Sequence, residues 1–255
     1  MEQKWPQHLW IVRHGQSAGN VARDAAEAAG LPLIDIATRD VETPLSPLGE
    51  QQAVALGRWF NQMPASEKPS IVLSSPYVRA LATANAIIDV GGLAEAGVAL
   101  TTDERLREKE FGILDRLTKF GIIQKYPELG EQRAHVGKFY FRPPGGESWC
   151  DVILRLRNVI DTITREYREE NVLIVGHQVI VNCFRYLLER LDEVAILTID
   201  RAGDVPNCSV TSYKFDSARG KNGKLVPDLV NFVAPLLEAG APITVEPDAP
   251  AAPKS

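Results

Sequence analysis

Two four-residue apolar runs, Leu9 to Val12 and Val172 to Val175, constrain the fold of this chain more than any other feature. Each is too short for a helix and too uniformly apolar for a strand with one wet face, so both read as strands buried on both sides. The first delivers Arg13, His14 and Gly15, and the second delivers Gly176 and His177. Two of only four histidines therefore stand at the ends of expected parallel strands, where open α/β sheets place their ligands.

Around these runs, short apolar segments alternate with longer amphipathic ones, the pattern of βα units. A helix is expected to start near Ser46, with Pro47 in its first turn and Glu50 nearby, burying Ala53, Leu56, Gly57 and Phe60. A strand over Ile71 to Leu73, a helix over Tyr77 to Val90 and a short strand over Val98 to Leu100 follow. The clearest helix spans Glu147 to Glu170, where Ile153, Leu156, Val159, Ile160, Ile163 and Tyr167 form one apolar stripe. A helix from Val179 to Arg190 and strands over Ser209 to Phe215 and Leu225 to Val233 complete the pattern. Residues 103–146 are irregular and read as a lid, so residues 1–237 form one expected domain. From Glu238 onward Pro and Ala dominate, and residues 238–255 are expected to be a disordered tail.

A chain of 255 residues with 45% hydrophobic content is long enough for one large core and too short to require two. Its net charge of −5 offers no general attraction to nucleic acid or anionic membrane, so any anion site has to be built from local Arg and Lys clusters. Cys150, Cys183 and Cys208 are odd in number, lack CxxC spacing and accompany no apolar stretch of membrane-spanning or signal-peptide form. A cytoplasmic protein is the expectation; a homodimer is left open.

The chemistry is written around the two histidines. A neutral imidazole at a strand end can attack phosphorus when adjacent cations offset the charge of a phosphate dianion. Arg13 is one such cation. Arg79, one turn into the helix that follows Ser74, Ser75 and Pro76, is a second, and His177 adds a further donor. Flanking helix N-termini favour the same anion. The departing oxygen needs a proton, for which Glu108, in the irregular stretch Leu106 to Gly112, is the preferred general acid, with Glu110 as the alternative. A lone strand-end histidine is usually a structural residue; two of them with two arginines are not. Other phosphate chemistries find no support: the sequence has no GxxxxGK[ST] loop, and Cys150 and Arg155 miss the six-residue Cys-to-Arg spacing by one. It also lacks GxGxxG, and the arginines beside His14 and His177 argue against a metal, so no cofactor is expected.

These segments resemble the histidine phosphatase superfamily, also called phosphoglycerate mutase-like, from about Leu9 to Phe232. Arg13 His14 Gly15 with Ser17 and Asn20 is similar to that family's nucleophile signature. Leu45 to Gly49 with Gln52 and Ala53 resembles its next helix start, and Ser74 Ser75 Pro76 with Arg79, Ala80 and Thr83 resembles its second arginine motif. The resemblance implies a three-layer α/β/α sandwich with a mostly parallel central sheet and a lid insertion. It also implies a phosphorylated His14, a phosphoryl group held by Arg13, Arg79 and His177 with Asn20 in contact, and Glu108 as proton donor and then base for water. Tyr126 Pro127 Glu128, Arg142, Gly145 to Ser148 and Gln178 are similar to the phosphatase branches. The mutases' Phe-Thr-Gly-Trp-like segment is missing and Phe111 replaces their Tyr, although Lys119 matches a mutase lysine. Against the fructose-2,6-bisphosphatase pattern, Lys119 and Trp149 stand where Tyr is expected and Asn182 where Arg is expected. The implied activity is a phosphomonoesterase acting on a small phosphorylated metabolite. The alternatives are a mutase, a sugar bisphosphatase or a non-catalytic phosphate-binding module. Ser17, Asn20, Lys119, Arg133, Arg142 and Gln178 are the expected substrate contacts.

Overall fold

The computed structural model describes residues 3–245. Six strands, β1 (His8–Arg13), β2 (Ile71–Ser74), β3 (Leu100–Thr102), β4 (Asn171–Gly176), β5 (Val210–Asp216) and β6 (Lys224–Phe232), form one sheet in the order β3-β2-β4-β1-β5-β6. The first four are mutually parallel, and β5 and β6 extend the β1 edge as an antiparallel pair. The two apolar runs, Leu9 to Val12 and Val172 to Val175, lie side by side near its centre, each flanked by a strand on either side.

Helices cover both faces. On one side lie α2 (Pro47–Asn61), α3 (Val78–Val90) and the short α9 (Ala234–Glu238); on the other lie α6 (Trp149–Glu166), α7 (Gln178–Leu188) and α8 (Glu193–Ala202). The alternation of the strands divides the core. Leu9, Ile11, Val172 and Ile174 pack under α6 and α7 with Leu156, Val159, Ile163 and Phe184, whereas Trp10, Val12, Leu173 and Val175 pack under α2 and α3 with Leu56, Phe60, Ala84 and Ile87. This is the expected three-layer arrangement. The long stripe on α6 is its physical cause, since a helix with one apolar face has to bury it against the sheet.

α1 (Ala18–Ala28) follows directly from β1, capped by Ser17, whose hydroxyl accepts from the Asn20 N–H while the Asn20 side chain accepts from the Ser17 N–H. The lid is less irregular than its sequence reads. It holds α4 (Lys119–Lys125) and α5 (Pro127–Val136) around a small separate cluster of Leu114, Leu117, Ile122, Leu129 and Phe141. The first residues of the tail expected from Glu238 are packed on the domain. Ala241 is buried, and Pro242 and Thr244 hydrogen-bond to the body of the domain, whereas residues 246–255 of that expected tail lie outside the described residues. No helix among the described residues is long and apolar enough to cross a membrane.

Candidate active site

Register brings the site together. Arg13 at the end of β1 pairs with Gly176 at the end of β4, and the His14 N–H donates to the Gly176 carbonyl (2.9 Å). One strand further, the Ser75 N–H donates to the Val175 carbonyl (3.0 Å). Three neighbouring parallel strands thus release His14, His177 and Ser75 at one edge, and the two imidazoles meet edge to face with centroids 5.1 Å apart.

Both rings are buried, His14 at 3% and His177 at 0% exposure. His14 Nδ1 lies 2.7 Å from the Gly15 carbonyl, an oxygen that can only accept, so Nδ1 carries the proton and Nε2 the lone pair. That lone pair receives a hydrogen bond from Arg79 Nε (3.2 Å). Burial, then the guanidiniums of Arg79 and Arg13, hold the His14 pKa well below its usual value. His177 is lowered too, by burial first and then by Arg79, His14, Arg155 and Arg13. Ser75 Oγ lies 2.7 Å from His177 Nε2, while His177 Nδ1 is buried with no hydrogen-bond partner. The nearest carboxylate oxygen, Glu108 Oε2, stands 3.6 Å from it, beyond hydrogen-bonding reach.

The arginines are fixed from behind. Arg13 donates to the Val205 carbonyl. Arg79 stacks on the Tyr77 ring at 4.9 Å, and its two terminal nitrogens donate to Asp40, at 2.6 Å to the carbonyl and at 3.0 and 3.3 Å to the carboxylate. The carboxylate of Asp40 therefore occupies the terminal fork of Arg79, a geometry suited to a bidentate anion. Glu108 is buried, its Oε1 accepting from the Lys109 N–H (2.7 Å). Arg155 donates to the Glu108 carbonyl and pairs with Glu147, which also receives Arg107 and the Glu110 N–H, so a charged network holds the strap that carries Glu108. Glu110 accepts from the hydroxyl of Tyr77, whose ring packs on His177 and Arg79.

Arg13, His14, Asp40, Arg79 and Glu108 line an open cleft with Ser17, Asn20, Arg23, Ile34, Ile36, Phe111, Asp115 and Arg116 among its walls. Of the expected site residues, Arg13, His14, Ser17, Asn20, Arg79 and Glu108 line it and His177 stands directly behind. The other four lie off it. Lys119 opens the first turn of α4, which faces Glu27, Gly30 and Leu31 in a separate small cleft. Arg142 pairs with Asp151 in the first turn of α6, Arg133 sits partly buried near Asp200, and Gln178 donates to Asp204 (2.8 Å). Each has a partner or a facing that the linear sequence does not reveal. Conversely, Asp40, Asp115 and Arg116 come from loops without periodicity, and no sequence signal marked Asp40 as the partner of Arg79. Among the described residues, no group of three or more His, Cys, Asp or Glu side chains could hold a metal ion.

Comparison with known proteins places the chain by sequence and by fold. The chain is 30% identical over 225 residues to a Caenorhabditis elegans 6-phosphofructo-2-kinase/fructose-2,6-bisphosphatase, covering 85% of this chain and 43% of that protein. It thus spans less than half the length of that relative. It is 29% identical over 202 residues to a 2,3-bisphosphoglycerate-dependent phosphoglycerate mutase of Allorhizobium ampelinum, covering 78% of this chain and 87% of the mutase. In fold it is similar to a mycobacterial glucosyl-3-phosphoglycerate phosphatase solved in complex with VO3, with a TM-score of 0.65 and 24% identity over 88% of this chain and 99% of the other. The sequence pattern of the histidine phosphatase superfamily (branch 1) matches residues 9–225, and this chain belongs to that family.

Proposed function

We propose that the protein is a phosphomonoesterase that hydrolyses a small phosphorylated metabolite in two steps through a phosphohistidine at His14. The observation that carries this reading is the state of the His14 ring: neutral, with its proton committed to the Gly15 carbonyl and its lone pair turned toward Arg79. In the first step Nε2 attacks phosphorus, the P–O bond to the alcohol breaks, and Glu108 delivers a proton to the leaving oxygen. Arg13, Arg79 and His177 offset the charge on the equatorial oxygens. In the second step Glu108 takes a proton from water, whose oxygen attacks the phosphohistidine, releasing phosphate and restoring His14.

A second reading is favoured by the mutase relative, most of whose length this chain covers. A mutase uses the same phosphohistidine and returns the group to another alcohol. Release of phosphate from p-nitrophenyl phosphate by the wild type, abolished in a folded His14→Ala variant, is the expected result. Isomerisation of 3-phosphoglycerate in the presence of 2,3-bisphosphoglycerate, faster than phosphate release, would transfer the assignment to the mutase. A panel of sugar phosphates and bisphosphates, phosphoglycerates, nucleotides and phosphopeptides then ranks the substrates.

A further inference from the structure

The backbone that carries His14 is held by two buried amides, and both are anchored by one residue near the end of the described chain. The carbonyl of Gly15, which fixes the imidazole through Nδ1, belongs to the same peptide plane as the Gln16 N–H. Gln52, fully buried in α2, accepts from that N–H (2.9 Å) and so orients the plane from its other edge. The preceding carbonyl, of His14 itself, accepts from Asn207 Nδ2 (3.0 Å), also fully buried. The peptide planes on both sides of Gly15 are therefore set by side-chain amides.

Each amide in turn is locked by Thr244. Gln52 Nε2 donates to Thr244 Oγ1 (3.0 Å) and to the Pro242 carbonyl (2.9 Å). Thr244 Oγ1 donates onward to Asn207 Oδ1 (3.0 Å), and the Asn207 N–H donates to the Thr244 carbonyl (3.0 Å). The single hydroxyl thus accepts from one amide and donates to the other, which fixes the direction of every bond in the chain and makes the bonds mutually strengthening. With the hydroxyl gone, Asn207 Oδ1 loses a donor and Gln52 Nε2 loses an acceptor, and both belong to fully buried side chains.

We propose that Thr244 is a positioning residue for the proposed nucleophile: through Gln52 and Asn207, the segment Pro242 to Thr244 sets the peptide planes around Gly15 and thereby aims the imidazole of His14. This rests on the reading of His14 as nucleophile. The apolar anchoring of the chain ends earlier, at Leu236 and Ala241, while Pro242 and Ile243 are exposed. Removal of the hydroxyl therefore loosens the aim of His14 more than it loosens the fold.

The test compares wild type, Thr244→Val and Thr244→Ser for kcat, KM and melting temperature with p-nitrophenyl phosphate, and adds the ring ¹⁵N and ¹H resonances of His14. A misplacement of about 1 Å can cost about 100-fold in rate. Thr244→Val is accordingly expected to lose on the order of tenfold in kcat, with KM and melting temperature little changed and the His14 resonances shifted, while Thr244→Ser restores both rate and spectrum. A chain ending at Ala241 is expected to lose at least as much. Near-normal kcat and unmoved His14 resonances in Thr244→Val would overturn the proposal. So would an equal loss in the Val and Ser variants that tracks a fall in melting temperature. If the wild type hydrolyses no ester yet Thr244→Val still shifts the His14 resonances and Thr244→Ser restores them, the positioning stands and the proposed reaction fails.

Discussion

At the scale of single residues, the site is a compact cationic cradle whose resting charge is compensated internally. Asp40 lies on the fork of Arg79, so in the proposed reaction it competes with the phosphoryl group for that guanidinium. Asp40→Asn should therefore tighten inhibition by inorganic phosphate or vanadate, measurable as a several-fold lower Ki; an unchanged or weaker Ki would show that Asp40 assists rather than competes. Arg79 touches the proposed nucleophile and the expected phosphate position, so Arg79→Ala should lower kcat/KM by roughly 100-fold to 1000-fold, the range for removal of a charge-assisted contact that strengthens in the transition state. The two histidines carry a pH consequence. Their native pKa values are depressed, so below about pH 6.5 the unfolded chain binds protons at His14 and His177 that the native state refuses. Stability from these groups is thus present above the unfolded value and falls as the pH drops toward the native ones, by up to about 1.4 kcal/mol per pH unit for each ring. Denaturant unfolding of the wild type and of a His14→Gln, His177→Gln variant between pH 7 and pH 5 should show the steeper decline in the wild type. Parallel curves would contradict it.

At the scale of elements, the strand ends and the first turns of the helices after them do the placing. α2 approaches the nucleophile loop so closely that a Cβ on Gly49 would lie 2.0 Å from the Gln16 carbonyl, and one on Gly15 would lie 2.5 Å from the Gly49 carbonyl. Both contacts are backbone against backbone, so relief requires moving the helix start. Gly49→Ala is expected to cost more stability than Ser46→Ala, which removes the cap of the same helix for about 1 kcal/mol; chemical denaturation of the two variants gives the order directly. These elements were legible where period and punctuation coincide: the Ser46 cap with Pro47, the α6 stripe, and both central strands. The ends shifted, with β3 at Leu100–Thr102 two residues later than its apolar run suggests and α6 starting at Trp149 after the Ser148 cap. α1 and α8 had no expectation. α1 buries only the small Ala26, and α8, which sets Leu197 and Ile199 beside the buried Ile196, spans only ten residues. The lid helices are short and close a cluster of their own, and a periodicity sampled over seven or ten residues hardly separates from chance.

At the scale of the whole molecule, the sheet fixes the proposed reacting groups, and loops supply much of the cleft wall around them. Arg13, His14, Arg79 and His177 were readable because each sits within a residue or two of an apolar run or a helix start. Lys119, Arg133 and Arg142 were not placeable, because their facing depends on how the lid folds. The same holds for Asp40 and Thr244, which arrive from segments 30–46 and 239–245 with little regular structure and act through long-range contacts. Both halves of the core depend on the sheet: Leu156→Ala on α6 should cost about 2 to 5 kcal/mol in global stability while leaving KM nearly unchanged in the folded fraction, since it empties a fully buried site that does not line the cleft.

The most direct measurement of the central claim is rapid quench at high pH after mixing the enzyme with a turning-over phosphomonoester, followed by mass spectrometry of the peptide that carries residue 14. An acid-labile, alkali-stable phosphoryl group on His14 is expected, formed at a rate no slower than turnover and missing in His14→Ala. Rapid turnover without that adduct, or with the phosphoryl group on another residue, would contradict it.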